Sequence, residues 1–174
     1  LSKSSAAQST LTIDDSSSCK FSKVNNNYLI KKGLKVTNKN FIYEKNYWKI
    51  CAAHDGYIKR FNTIHQREIE FDPVKMIFIG KDKIIKKKIN NNYKFDIRFH
   101  VEPKVKLMKT QNGKSILIEL DHEGWKFTCD KYDINIDNGL YFGKKNSYTD
   151  NQNIFITGIS NNQEEDIKWE IEKI

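Results

Sequence analysis

Apolar residues in this chain recur at every second position and rarely at the spacing of a helical stripe. Tyr93, Phe95, Ile97, Phe99 and Val101 fall on one side of an extended segment, and Lys94, Asp96, Arg98 and His100 on the other. Trp125, Phe127 and Cys129 alternate with Lys126 and Thr128; Ile167, Trp169 and Ile171 alternate with Lys168, Glu170 and Glu172. Successive side chains of a strand point to opposite faces, so this period builds strands with one buried side. Further strand-like runs cover 10–13, 34–37, 47–53, 64–71, 74–79, 105–109, 115–120 and 153–159. Asp55-Gly56, Asp72-Pro73, Asn112-Gly113, Glu123-Gly124 and Asn138-Gly139 supply the turn chemistry between them. The asparagine runs at 25–27, 90–92 and 161–162 read as loops. Many short strands without intervening helices predict an all-β, antiparallel, multi-stranded β-sandwich over residues 1–174, with little or no helix.

The 174 residues are enough for one good-sized core. With 38% apolar and 30% charged residues, the composition is that of a folded chain, not a disordered one. No apolar run approaches the roughly 20 residues that span a bilayer. The chain opens Leu1-Ser2-Lys3-Ser4-Ser5, without methionine or an apolar leader, and is expected to be a piece of a longer protein. Its net charge of +8 calls for an anionic partner: nucleic acid, an acidic polysaccharide or a membrane surface. Lysine rises together with asparagine and isoleucine, as in Lys86–Asn92, which is the bias of AT-rich coding. No basic helix or zinc-finger spacing supports nucleic-acid readout, so nucleic acid is not an expected partner.

Arginine is used differently from lysine. All three arginines and three of the four histidines lie in two short segments, 53–67 and 95–100. A guanidinium is a planar fork that grips a carboxylate or sulfate with two parallel hydrogen bonds, which an ammonium does not. Arginine beside histidine points either to polar chemistry or to Arg–carboxylate pairs that fix sheet geometry. Arg98, His100 and Asp96 share the polar side of one strand, where histidine can move or orient a proton. His65 and Arg67 share a face with Ile69 and Phe71, which fits a hydrogen-bonded core histidine. His122 falls in a turn.

His54 and Tyr57 flank the Asp55-Gly56 turn at the end of a strand, a place where sites form. Histidine is a common metal ligand, but zinc needs three or four convergent ligands, and the other candidates, Asp14, Asp15 and His65, are distant in sequence. Cys19, Cys51 and Cys129 form no CxxC pair, and the latter two fit small buried positions. No phosphate-cradling glycine loop and no nucleophile elbow is present.

The string Ala6-Ala7-Gln8-Ser9-Thr10-Leu11-Thr12-Ile13-Asp14-Asp15-Ser16-Ser17-Ser18 resembles the opening of the β-sandwich region of heparinase II/III-like proteins. The order continues with His54-Asp55-Gly56-Tyr57, Arg60-Phe61, Ile64-His65-Gln66-Arg67, Ile97-Arg98-Phe99-His100, Glu123-Gly124-Trp125-Lys126-Phe127, Leu140-Tyr141-Phe142-Gly143 and Ile154-Phe155-Ile156-Thr157-Gly158. The resemblance implies stacked, supersandwich-like antiparallel sheets that follow an N-terminal α/α toroid. It implies a lyase that cleaves an anionic, uronic-acid polysaccharide by β-elimination. In that chemistry a base removes the proton alpha to the uronate carboxylate, whose charge must be offset before the carbon ionises. It further implies Gln8, Arg98 and His100 as residues at the catalytic edge, His54, Tyr57 and Arg60 as substrate contacts, and a structural zinc on His54 and Asp15. Relatives typically carry histidine where this chain has Gln8, and often at Glu102. Glutamine is no base, though it can hydrogen-bond a carboxylate. A periplasmic or cell-envelope setting is the expectation from the substrates of such lyases. The alternative is a non-catalytic carbohydrate-binding or structural module.

Overall fold

A computed structural model describes residues 2–25, 27–88, 91–144 and 147–174. In chain order the elements are a 3₁₀ turn (Ser5–Ala7), β1 (Leu11–Ile13), β2 (Lys20–Val24), β3 (Asn27–Lys32), β4 (Val36–Glu44), β5 (Tyr47–His54), one helical turn α1 (Ile58–Phe61), β6 (Thr63–Asp72), β7 (Ile77–Lys86), β8 (Tyr93–His100), β9 (Lys106–Lys109), β10 (Ser115–Glu119), β11 (Gly124–Cys129), β12 (Ile134–Tyr141), β13 (Thr149–Ser160) and β14 (Glu164–Lys173). Strand makes up 62% and helix 4%, as the alternation requires.

Four strands form a small sheet in the order β1-β8-β13-β12, eight form a large sheet in the order β4-β5-β6-β7-β14-β11-β10-β9, and β2-β3 stand as a separate hairpin. Every pairing is antiparallel. The alternating residues meet between the two sheets. Leu11, Ile13, Phe95, Ile97, Ile134, Ile154 and Ile156 come from the small sheet, and Ile84, Ile116, Phe127, Ile167 and Trp169 from the large one, all buried. Phe99 joins the layers, its ring 4.7 Å from Trp169 and 5.0 Å from Phe127. Each such side chain contributes roughly 1.5–3 kcal/mol when buried, so inter-sheet packing holds the fold together.

Three local readings are corrected. Asn138-Gly139 is no turn: both residues pair within β12, opposite Gln152 and Asn151. Glycine is needed there because an added Cβ would lie 2.1 Å from Asn153 Nδ2. The strand expected at 74–79 begins only at Ile77, because Asp72 Oδ1 accepts the backbone N–H groups of Val74 (2.9 Å) and Lys75 (3.1 Å) and holds a turn. The run at 25–27 is partly strand, with Asn27 opening β3; Asn26 and Asn90 lie outside the described residues. Cys51 and Cys129 are strand residues, half-buried and free.

Candidate functional site

The segment before β1 crosses one end of the sandwich and is tied to both sheets. Thr10 O accepts the backbone N–H of Arg98 (3.2 Å). Ser9 Oγ accepts the N–H of His100 (3.0 Å), and Ala6 O accepts from His100 Nε2 (3.1 Å). Gln8 is exposed in this segment, and its Nε2 donates to Ser2 O (2.9 Å). Arg98 and His100 are thus tied to this strap, whereas the Gln8 side chain turns back to Ser2. Burial lowers the His100 pKa; the Ala6 carbonyl opposes that shift and Arg98 adds to it. His100 is thus neutral near pH 7, its Nε2–H spent on Ala6.

Arg98 lies over the Phe155 ring, 4.7 Å from its centroid. Its guanidinium reaches Asp96 through one nitrogen at 3.7 Å, too far for a hydrogen bond. Asp96 itself is buried and accepts from Thr157 Oγ1 (2.9 Å). Among the described residues the Arg98 guanidinium donates no hydrogen bond, so its fork is available to an outside oxyanion. A hollow of about 180 Å³ beside it is lined by Arg98, His100, Asp137, Gly139, Phe142 and Asn153. Behind Asn153, Asn151 donates to Val101 O (2.7 Å), while its own Oδ1 has no partner among the described residues. Asn151 and Asn153 were not singled out from sequence. Their signal is a carboxamide pair two apart on the polar side of β13.

Between the sheets, directly under the strap, sits a polar network. Arg67 Nε and an Nη grip Asp82 bidentately at 2.8 and 2.9 Å, and its other Nη donates to Ser9 O (2.5 Å). Trp169 Nε1 also donates to Asp82 (2.9 Å). The indole reaches that carboxylate by lying across Gly80, where an added Cβ would be 2.0 Å from the ring. His65 and Asp82 are buried, with His65 Nε2 2.6 Å from Asp82 Oδ1. His54 Nε2 is 3.1 Å from His65 Nδ1, and Gly56 N–H donates to His54 Nδ1 (3.2 Å). Because Gly56 donates to Nδ1, His54 carries its proton on Nε2, which points at His65 Nδ1. Burial, reinforced by the neighbouring His65, pushes the His54 pKa down to about 4. Burial alone would raise the Asp82 pKa; Arg67 and the His65 hydrogen bond outweigh it and hold the carboxyl well below the usual aspartate range.

The turn after β5 divides the remaining candidates. Tyr57 is 1% exposed, and its hydroxyl donates to Leu11 O (2.8 Å), so it plugs the sandwich end instead of facing an open surface. Burial pushes its pKa up to about 12. Arg60 is exposed and donates to Ser16 Oγ (2.6 Å) at the rim of a cleft that Asp15 also lines. Zinc on His54 and Asp15 does not fit this arrangement, because both ring nitrogens of His54 are already engaged by Gly56 and His65. Among the described residues no group of three or more His, Cys, Asp or Glu is placed to hold a metal ion. Among them, too, no helix is long and apolar enough to cross a membrane.

Comparison with known proteins adds what geometry alone does not. The family model described as "Heparinase II/III-like, C-terminal" matches residues 1–170. Among solved structures, the chain is similar to heparan sulfate lyase HepC from Pedobacter heparinus, with TM-score 0.72, 13% identity, and coverage of 95% of this chain and 24% of that one. A protein described as heparinase III matches with TM-score 0.70, 13% identity, and the same coverage of 95% and 24%. At such identity these likenesses show a shared fold, and the chain spans about a quarter of each relative. No curated protein matches.

Proposed function

The chain belongs to the heparinase II/III-like family, whose C-terminal model it fills, and we propose that it is the β-sandwich of a polysaccharide lyase that acts on a uronic-acid glycan by β-elimination. The observation that carries this reading is the strap. It ties Arg98 and His100 to one end of the sandwich, with Gln8 in the same segment and the Arg98 fork unspent. In the reaction, the uronate carboxylate must be neutralised before its alpha proton leaves. Arg98 is built to pair that carboxylate. His100 is held neutral with its Nε2–H on Ala6, which leaves Nδ1 as the acceptor nitrogen. Gln8 can hydrogen-bond the sugar but cannot take a proton. The base and the acid that protonates the leaving oxygen therefore belong to a preceding α/α toroid, the proposed partner domain, and the setting is the periplasm or cell envelope.

The test is formation of the ultraviolet-absorbing 4,5-unsaturated uronate by the full-length protein on a panel of uronate glycans. Product that falls strongly in Arg98→Lys supports the reading. A full-length protein that yields none, and whose preceding sequence encodes no toroid, leaves the second reading: a carbohydrate-binding or structural module. The exposed glutamine at position 8 favours that alternative.

A further inference from the structure

A hollow of about 970 Å³ lies between the β2–β3 hairpin, the loop at 15–19 and the α1 turn. Five cationic side chains line it: Lys20, Lys31, Lys32, Lys59 and Arg60. Only two carboxylates oppose them, Asp15 and Asp55, whereas the whole chain carries 22 acidic residues to 30 basic ones. Asp55 is already engaged, its Oδ1 accepting the backbone N–H of Lys35 (2.7 Å). All five cations are exposed. They come from three separate elements, so the fold gathers them; they are not one basic run in sequence. Lys32 and Lys59 both line the cleft, and the Lys59 neighbour, ahead of desolvation, lowers the Lys32 pKa below the ordinary lysine value. Asp55 offsets Lys32 in part, but five cations against two carboxylates leave the cleft net positive, which an anion relieves.

We propose that this cleft binds the oxyanion groups of an acidic sugar chain, with Lys32 and Lys59 holding one group between them and Arg60 facing the next. The choice of a sugar rests on the lyase reading; the choice of an anion rests on the cleft alone. Nucleic acid is the less suited polyanion. Single strands need exposed aromatic platforms for their bases, and of the three aromatic side chains lining the cleft Tyr57 and Phe61 are buried and Phe21 is partly buried. The hollow also exceeds what one small anion requires and is the size that takes a chain of rings.

The experiment measures binding by calorimetry to the full-length protein and to Lys32→Gln/Lys59→Gln. The probes are a sulfated octasaccharide of alternating uronate and glucosamine, the same octasaccharide without its sulfates, and a single-stranded DNA of equal charge. Lys75→Gln/Lys114→Gln, which removes the same charge from exposed positions outside the cleft, is the control. The cleft pair should weaken sugar binding on the order of tenfold or more and flatten its salt dependence, while the control pair leaves both nearly unchanged. Retained binding of the desulfated sugar identifies the held group as carboxylate; its loss identifies sulfate. An equal loss in the control pair, or DNA binding that depends on the cleft pair as strongly as sugar binding does, overturns the proposal. Cleft-dependent sugar binding in a full-length protein that makes no unsaturated product overturns only the lyase reading.

Discussion

Arg67 and Arg98 lie on facing sheets, are fastened to the same strap, at Ser9 and Thr10, and are about equally exposed, yet their hydrogen bonding differs. Arg67 points between the sheets. It spends three nitrogens on hydrogen bonds, two of them on a fully buried carboxylate that also anchors His65 and Trp169. Arg98 points outward, leans on Phe155 and stands 3.7 Å from an aspartate that is already bonded to Thr157. One guanidinium is consumed by the fold and the other is held by it. The arginine–histidine strings of this chain thus contain two kinds of residue: those that set the strap in place, and those that the strap leaves free of hydrogen bonds.

The comparison breaks first at Asp82. Asp82→Asn keeps the shape but removes the buried negative charge that Arg67 grips, which should cost about 3–5 kcal/mol. At about 2–4 °C per kcal/mol for a chain of this size, the sandwich melting transition should drop by roughly ten degrees, read by calorimetry. A drop of a degree or less would show that the network is not what holds this end together.

A smaller loss is expected at Gly80, where alanine would push a methyl group into the Trp169 indole. Gly80→Ala should cost about 1–3 kcal/mol in denaturant unfolding and shift Trp169 fluorescence. Unchanged fluorescence would mean that the indole does not need that bare backbone.

Comparable in size is a pH effect. The His54 pKa lies near 4 in the folded chain, below the ordinary histidine value, so the unfolded chain binds the extra proton first. Stability should therefore be flat above about pH 6.5 and decline as pH falls from there toward 4. His54→Gln should flatten that decline. Asp82 acts lower, because its depressed pKa gives stability that is lost only as pH falls below the ordinary aspartate value. A His54→Gln variant with the original slope would assign the titration elsewhere, His100 being the next candidate.

Much of this was legible in the sequence, for a physical reason. Side-chain alternation is imposed by the sheet itself, so β8, β11 and β14 follow directly from which residues are apolar. His65 as a core histidine follows from its sharing a face with Ile69 and Phe71. Pairing across the chain was not legible. That Arg67 meets Asp82, fifteen residues on, depends on the β6–β7 register. Tyr57 flanks a turn at a strand end, where sites form, yet the fold closes that end over it. Asn138-Gly139 has the composition of a turn, and only the carboxamides of Asn151 and Asn153 reveal why a glycine stands in mid-strand. The basic cleft draws on β2, β3 and α1, whose lysines are too scattered along the chain to form a pattern.

The most direct test of the contrast is a side-by-side melt of Arg67→Lys and Arg98→Lys in the full-length protein. Both keep the charge and lose the fork. Arg67→Lys should destabilise the sandwich by about 1.5–3 kcal/mol, the worth of hydrogen bonds to a charged group, whereas Arg98→Lys should change its stability by less than about 1 kcal/mol. Equal losses, or a larger loss at Arg98, would contradict the division between an arginine that builds the site and one that the site presents.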